Sequence, residues 1–128
     1  MIRRTGPVIA LAVVILAGCQ STGGDRAAAT SAAARALATG LAEAIGRCWF
    51  GAPETAFQAY IYTPENVGGR PRILLAPKDD PTGRPVLVIE PGGATDVAVY
   101  GPLAESGLGP RIAADIDRWR SGGTACGS

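Results

Sequence analysis

Two stretches of the chain repeat apolar residues at helical spacing, one on each side of a central β-prone region. In the first stretch, the apolar residues are four, four and three positions apart: Leu37, Leu41, Ile45 and Cys48. In the second stretch, the apolar residues have the same spacing: Leu108, Ile112, Ile116 and Trp119. Such spacing places the side chains on one face of a helix. Gly51 with Pro53 ends the first predicted helix, and Gly122 ends the second.

Between the predicted helices, four segments have the composition of β-strands: 57–63, 69–77, 83–91 and 96–100. In the first segment, Phe57 and Ile61 share one side of a strand, and Pro64 is expected to end it. The second and third segments share a Gly-Arg-Pro opening, an apolar run and a closing proline. Because turn-forming residues separate these two segments, they predict a β-hairpin.

The order of these elements predicts the fold class. One helix, three or four antiparallel strands and a second helix are typical of an α+β fold with two layers. Both helices are expected to cover one face of the sheet and to leave the other face partly open.

The beginning of the chain has the organisation of an exported precursor. A basic segment, Met1–Arg4, precedes an apolar stretch at 8–17, which is too short for a bilayer that needs about 20 residues. Directly behind it, Leu16–Cys19 reads "LAGC", which resembles the lipobox of bacterial lipoproteins. The resemblance implies that a peptidase removes residues 1–18 and that Cys19 carries acyl chains such as palmitate. The alternative is an ordinary signal peptide with a chance cysteine.

The lipobox resemblance also implies a location. Each buried methylene group adds about 0.8 kcal/mol of membrane affinity, so two or three acyl chains would hold the protein permanently. Gln20 follows the cysteine where an aspartate would retain a lipoprotein in the inner membrane, which implies the outer membrane facing the periplasm. Residues 19–30 are then the lipidated cysteine and a flexible, glycine-containing tether. Residues 31–128 are the small α+β periplasmic domain.

The two other cysteines, Cys48 and Cys126, flank the strands and the second helix. In the oxidising periplasm such a pair predicts a disulfide that ties the ends of the domain together. Two buried free thiols are the alternative. The chain has no histidine, and two cysteines do not complete a tetrahedral zinc site. The sequence therefore predicts neither a metal site nor a cofactor.

Catalytic chemistry has few candidate residues in this chain. The absence of histidine removes the commonest general base. Lys78, the single lysine, stands beside Asp79 in the predicted turn. We therefore expect no catalytic residue and no enzymatic activity. The net charge of +1 becomes slightly negative once the signal segment with Arg3 and Arg4 leaves, which argues against a nucleic-acid partner.

Three arginines are the candidate contact residues. Arg70 and Arg72 begin the second β segment, where the predicted hairpin brings them near Glu90 or Pro91, whereas Arg84 lies at the turn. We interpret the three as a candidate contact for an anion, peptidoglycan or a partner protein. The alternative is that they are solvated charges flanking the strands.

Two short motifs and the late helix with its cysteine resemble the carboxy-terminal domain of TolA and TonB. The motifs are "RCW" at 47–49 and "RILLAPKDDPTGRPVLVIEPGG" at 72–93, within a resemblance that covers residues 40–126 at most. It implies a small domain that binds other envelope proteins, often by strand addition at a sheet edge. The lipid anchor and short tether depart from that family's inner-membrane helix and long stalk, so energy transduction is not implied.

More broadly, the chain is similar to small alphaproteobacterial lipoproteins without an assigned activity. We therefore expect a membrane-anchored envelope lipoprotein that serves as a non-enzymatic structural or protein-interaction module. The alternative function is a lipoprotein that binds a small ligand or a glycan. The expected partners are the membrane and either another envelope protein or peptidoglycan.

Overall fold

The computed structural model describes Gly6 and residues 22–127. The elements, in chain order, are helix α1 (Thr22–Cys48), strands β1 (Tyr60–Val67), β2 (Arg70–Pro77), β3 (Leu87–Pro91) and β4 (Val97–Tyr100), a short 3-10 helix (Pro102–Glu105) and helix α2 (Gly109–Arg120). The strands form one antiparallel sheet in the order β1-β2-β3-β4. The predicted α+β fold is confirmed. Cys19 and the lipobox lie outside the described residues.

Helix α1 begins earlier than the sequence predicted. Residues 22–30 are helical, so this part of the predicted tether, residues 19–30, is not irregular. The physical reason is the alanine density at 27–29 and 32–34, since alanine has the highest helix propensity and extends a helix across weaker residues such as Gly24. No helix among residues 22–127 combines the length and the apolar content needed to cross a bilayer.

One hydrophobic core lies between the two helices and one face of the sheet. The least exposed aliphatic side chains come from both helices and the two central strands: Leu41, Ile45, Ile73, Leu75, Leu87, Ile89 and Ile112. Burying each such side chain contributes about 1.5–3 kcal/mol. The apolar stripes that predicted the helices therefore supply the helix layer of this core.

Strand β1 (Tyr60–Val67) starts three residues later and ends four residues later than the predicted segment 57–63. It continues through Pro64 because β1 is an edge strand, where a missing backbone N–H can face outward. Gly68 and Gly69, with φ of 60° and 78°, form the two-residue turn that pairs Val67 with Arg70. Phe57 lies in the turn before the strand and is fully buried.

The predicted hairpin of the second and third β segments is present as β2 and β3. Its register places Ile73 opposite Ile89 and Leu75 opposite Leu87, so the apolar residues of both strands share the core face. The ends of the domain also meet as predicted. Cys48 and Cys126 lie at disulfide distance, with their Cα atoms 5.2 Å apart.

Candidate functional site

The three candidate arginines do not form one cluster. Arg70 and Arg72 lie at one end of the β2–β3 hairpin, as the register requires, whereas Arg84 is exposed in the loop at the other end. Arg72 donates from Nε to the carboxylate of Glu65 on β1. Arg70 therefore remains as the arginine of this end that has no ion pair among residues 22–127.

Arg70 borders a cleft of about 360 Å³ between α1 and the end of the sheet, which we call the rim cleft. Its polar lining comes from α1, β2, β3 and the β3–β4 loop: Thr30, Ser31, Arg70, Glu90 and Asp96. The Tyr100 hydroxyl donates to Glu90 Oε2 at 3.1 Å, and this bond raises the pKa of Tyr100. Hydroxyls, carboxylates and a guanidinium together suit a polar ligand such as a glycan.

A second concave surface lies between β4 and α2, with a volume of about 380 Å³. We call it the β4 groove. Its apolar walls come from β4 and α2: Val97, Val99, Ile112, Ala113 and Ile116. Asp117 and Arg120 stand at its border and form an ion pair with N–O distance 2.6 Å. This surface lies beside β4, which is an edge strand. A strand was predicted at 96–100, but its position at the edge of the sheet and the groove beside it were not predicted.

A buried carboxylate organises the region beneath α2. Asp115 is 1% exposed. Its Oδ2 accepts a hydrogen bond from Trp49 Nε1 at 2.8 Å, and its Oδ1 accepts one from Arg118 Nη1 at 2.8 Å. Arg111 Nε stands 3.5 Å from Oδ2. Two cations and an indole N–H thus compensate the buried charge, which is the condition under which burial is tolerated.

The sequence contained a signal for this carboxylate that the helical pattern alone did not reveal. Asp115 stands next to the apolar stripe residue Ile116, and arginines flank it at the i−4 and i+3 positions. Those spacings bring side chains together on a helix surface. The partner Trp49 is 66 residues away along the chain, so the network depends on tertiary structure.

The carboxy-terminal tail closes over the same region. Arg47 Nη2 donates to the Thr124 carbonyl at 2.6 Å, and Trp119 Nε1 donates to the Ala125 carbonyl at 2.9 Å. Together with the paired cysteines, these bonds fasten the tail to α1 and α2. We interpret this end of the molecule as structural, because the Arg47, Trp49 and Trp119 donors all find acceptors within the domain. Arg111 Nε, 3.5 Å from Asp115 Oδ2, is the buried nitrogen of the described residues that has no hydrogen-bond partner.

Glu54 links the loop after α1 to helix α2. Its Oε2 accepts a hydrogen bond from Arg111 Nη2 at 2.6 Å, and its Oε1 accepts the backbone N–H groups of Thr55 and Ala56. The bond from Arg111 is the main cause that lowers the pKa of Glu54 from 4.5 to about 2.

We expect Glu54→Gln to destabilise the domain by about 1 kcal/mol at neutral pH, the upper range for a solvent-accessible ion pair. Because the folded-state pKa is lowered, this contribution is present above pH 4.5 and is lost as the pH falls toward about 2. Denaturant unfolding of both proteins between pH 7 and pH 2 should show the difference shrinking. Glu105→Gln, at an exposed position, is the control and should change stability little at any pH.

Among the described residues, no three side chains of the acidic or cysteine type gather as a metal site would require. The polar rim cleft and the apolar β4 groove are two of the concave surfaces that the described residues form, and another of about 500 Å³ lies between α1 and β1 and is lined by Arg72. The resemblance to the TolA and TonB domain stays a prediction from residues 47–49 and 72–93. No protein family, curated protein or solved structure matches this chain.

Proposed function

We propose that this protein is a membrane-anchored lipoprotein of the bacterial envelope, whose domain is a non-enzymatic structural or protein-interaction module. The observation that carries the proposal is the "LAGC" motif at 16–19 directly after the apolar stretch at 8–17. The spacing of these two features matches a lipoprotein precursor. The Cys48–Cys126 pair at disulfide distance supports an oxidising compartment.

Cys19→Ser tests the anchor. Without the thiol there is no atom to receive the diacylglycerol, so we expect the variant to leave the membrane fraction or to stay unprocessed. The measurement is fractionation of cells followed by the intact mass of the protein. Ser21→Ala, two positions away, is the matched control and should remain lipidated and membrane-bound. Normal processing and full membrane retention of Cys19→Ser would contradict the proposal.

Crosslinking in the native envelope tests the interaction module. The tagged, lipidated protein is crosslinked in cells, and the products are identified by mass. One dominant envelope protein, lost in Cys19→Ser, is the expected result. Scattered abundant neighbours or cell-wall fragments would instead favour ligand or glycan binding.

Glycan binding is the second candidate function, and the rim cleft is the observation that favours it. Arg70 lines that cleft with hydroxyl and carboxylate groups, whereas Arg84 is exposed at the opposite end of the hairpin. Titration of the protein with soluble peptidoglycan fragments distinguishes the candidates. If the cleft binds glycan, Arg70→Ala weakens binding and the matched variant Arg84→Ala does not. No binding by the unmodified protein removes this candidate.

A further inference from the structure

We propose that the tip of the β1–β2 hairpin rests on the lipid head groups of the membrane that holds the anchor. The hairpin tip comprises Val67, Gly68, Gly69 and Arg70. This inference rests on the proposed function, because it requires acyl chains on Cys19, and it assigns the surface by which the folded domain contacts its membrane.

Helix α1 and the β1–β2 hairpin run side by side. Gly46, near the end of α1, lies directly against the Tyr62 hydroxyl and leaves no room for a Cβ atom between them. Further back along the helix, Thr30 borders the same cleft as Gly69. The helix rises about 24 Å from Thr30 to Gly46, and a strand covers about 23 Å from Tyr62 to Gly69. Because these two lengths agree, the hairpin tip lies beside Thr30, on the side of the domain where α1 begins.

The beginning of α1 extends past the hairpin tip toward the anchor. The helix starts at Thr22, and residues 24–30 are exposed, so the rest of the domain does not cover them. From Thr22 to Thr30 the helix rises about 12 Å. Cys19 precedes Thr22 by three residues, which span at most about 11 Å. Since the head-group layer is about 5–7 Å thick, a tilt of α1 toward the hairpin brings the hairpin tip onto the head groups.

The side chains of the hairpin tip suit a lipid surface. Val67 is apolar but 54% exposed, and Arg70 is exposed and has no ion pair among residues 22–127. Anionic lipids attract an arginine near the membrane, and an apolar side chain beside it is stabilised at the boundary of the acyl region. Asp25 and Arg26, at the beginning of α1, have opposite charges. Arg70 therefore determines the net attraction of this end.

The opposite end of the hairpin lacks this combination. The loop between β2 and β3 carries exposed residues of both charges: Lys78, Asp79, Asp80 and Arg84. Val67 and Tyr100 are the exposed large apolar residues of the described part of the chain, and neither lies in that loop. The end nearer the anchor is therefore the one that presents both an apolar residue and an unpaired arginine.

Val67 separates a membrane contact from glycan binding in the rim cleft. Arg70 borders the rim cleft, whereas Val67 is not part of its lining. A glycan held in the rim cleft needs Arg70 and not Val67, but a contact between the hairpin tip and the membrane needs both residues.

The test uses the lipidated full chain in vesicles of phosphatidylethanolamine and phosphatidylglycerol that contain a lipid with a spin-labelled head group as the quencher. The ammonium group of phosphatidylethanolamine is compatible with the Glu90 and Asp96 carboxylates that line the rim cleft beside Arg70. A fluorescent dye is attached either to Asn66→Cys, beside the hairpin tip, or to Thr82→Cys, in the loop at the opposite end. Both positions are exposed, and neither the disulfide nor the acylated sulfur reacts with a thiol-specific dye.

Quenching at position 66 should exceed quenching at position 82 at least about three-fold, because the length of β2 places position 82 about 23 Å farther from the head groups. Val67→Glu and Arg70→Glu should each lower the quenching at position 66 at least about two-fold, since the attraction of one arginine to anionic lipids corresponds to about a five-fold change in population. Arg84→Glu is the matched control. It changes the net charge as Arg70→Glu does, at the opposite end, and should leave the quenching unchanged.

Equal quenching at the two positions overturns the inference, and so does the absence of an effect of Val67→Glu or Arg70→Glu. Loss of peptidoglycan-fragment binding in Arg70→Glu with unchanged quenching also overturns it, because Arg70 then serves a glycan. Flotation with the vesicles and the intact mass separate these failures from failure of the proposed function. A chain that is acylated on Cys19 and floats with the vesicles, but shows equal quenching, contradicts this inference alone. A chain isolated from cells without acyl groups contradicts both.

Discussion

Asp115→Ala destabilises the domain by about 3 kcal/mol, because it removes the acceptor of a buried indole N–H and the buried partner of two partly exposed arginines. The carboxylate is 1% exposed and is the acceptor for both Trp49 Nε1 and Arg118 Nη1. Alanine leaves Trp49 Nε1 without its acceptor in a region that water reaches poorly, removes one of the two acceptors of Arg118 Nη1, and also leaves a cavity. The expected loss is a large part of the stability of a small domain. Denaturant-induced unfolding, followed by tryptophan fluorescence, measures it.

Asp117→Ala is the matched control for this prediction. Asp117 lies two residues later on the same helix, is 66% exposed at its side chain and pairs with Arg120 at 2.6 Å. An exposed ion pair contributes at most about 1 kcal/mol. Equal, small effects of the two substitutions would contradict the structural role given to Asp115. Asp115→Asn should fall between them, because an amide oxygen still accepts the bond from Trp49 but no longer compensates Arg118.

Cys126→Ser lowers the free energy of unfolding by about 4.5 kcal/mol in the chain-entropy description of a cross-link. The two cysteines are 78 positions apart, so the bond constrains most of the unfolded domain. The tail contacts from Arg47 to Thr124 and from Trp119 to Ala125 also lose the constraint that keeps them in place. Denaturant unfolding should give a lower midpoint and a larger dependence on denaturant, since the unfolded chain becomes less compact.

The reduced parent protein is the control for the cross-link. If the bond itself is responsible, reduction of the unmodified chain should reproduce the stability of Cys126→Ser. Alkylation under denaturing, non-reducing conditions gives an independent check, because Cys48 and Cys126 should resist modification in the mature protein. Two alkylated thiols in that experiment, or unchanged stability on reduction, would exclude the bridge.

Helical periodicity was sufficient to predict where the helices pack. Residues such as Leu41 and Ile45 on α1, and Ile112 and Ile116 on α2, line the core at the spacing that the pattern showed. The reason is that a helix repeats every 3.6 residues, so that local spacing alone decides which side chains share a face. The helix nevertheless began at Thr22, within the segment 19–30 that was predicted as a tether, because alanine propensity outweighed the polar, glycine-containing start.

Strand boundaries depended on more than the local pattern. In the sequence, Pro64 indicates the end of a strand. In the structure it lies within β1, because β1 is an edge strand and the missing backbone N–H of proline can face away from the sheet. Phe57 reads as part of a strand, but it is buried in the preceding turn, where it stacks on Trp49 with ring centroids 4.5 Å apart. In both cases the position of the segment relative to the rest of the sheet decided the conformation.

The candidate contact residues were predicted in part. The hairpin repeat placed Arg70 near Glu90 and far from Arg84, and the rim cleft contains Arg70 and Glu90. The hydroxyls of Thr30 and Ser31 were missed, because the sequence does not show which turn of α1 passes the end of the sheet. The β4 groove was missed for a similar reason, because the sequence does not show which face of α2 lies beside β4.

The sequence by itself determined the two apolar helix faces and the β2–β3 hairpin, because each follows from local spacing. It also predicted the pairing of Cys48 with Cys126, which the structure places at disulfide distance. The tertiary structure decided the extent of β1, the burial of Asp115 against Trp49 and the open edge of β4. These features arise where residues distant along the chain compete for the same space, hydrogen bonds and exclusion from water. Such competition is settled only when all the elements are packed together.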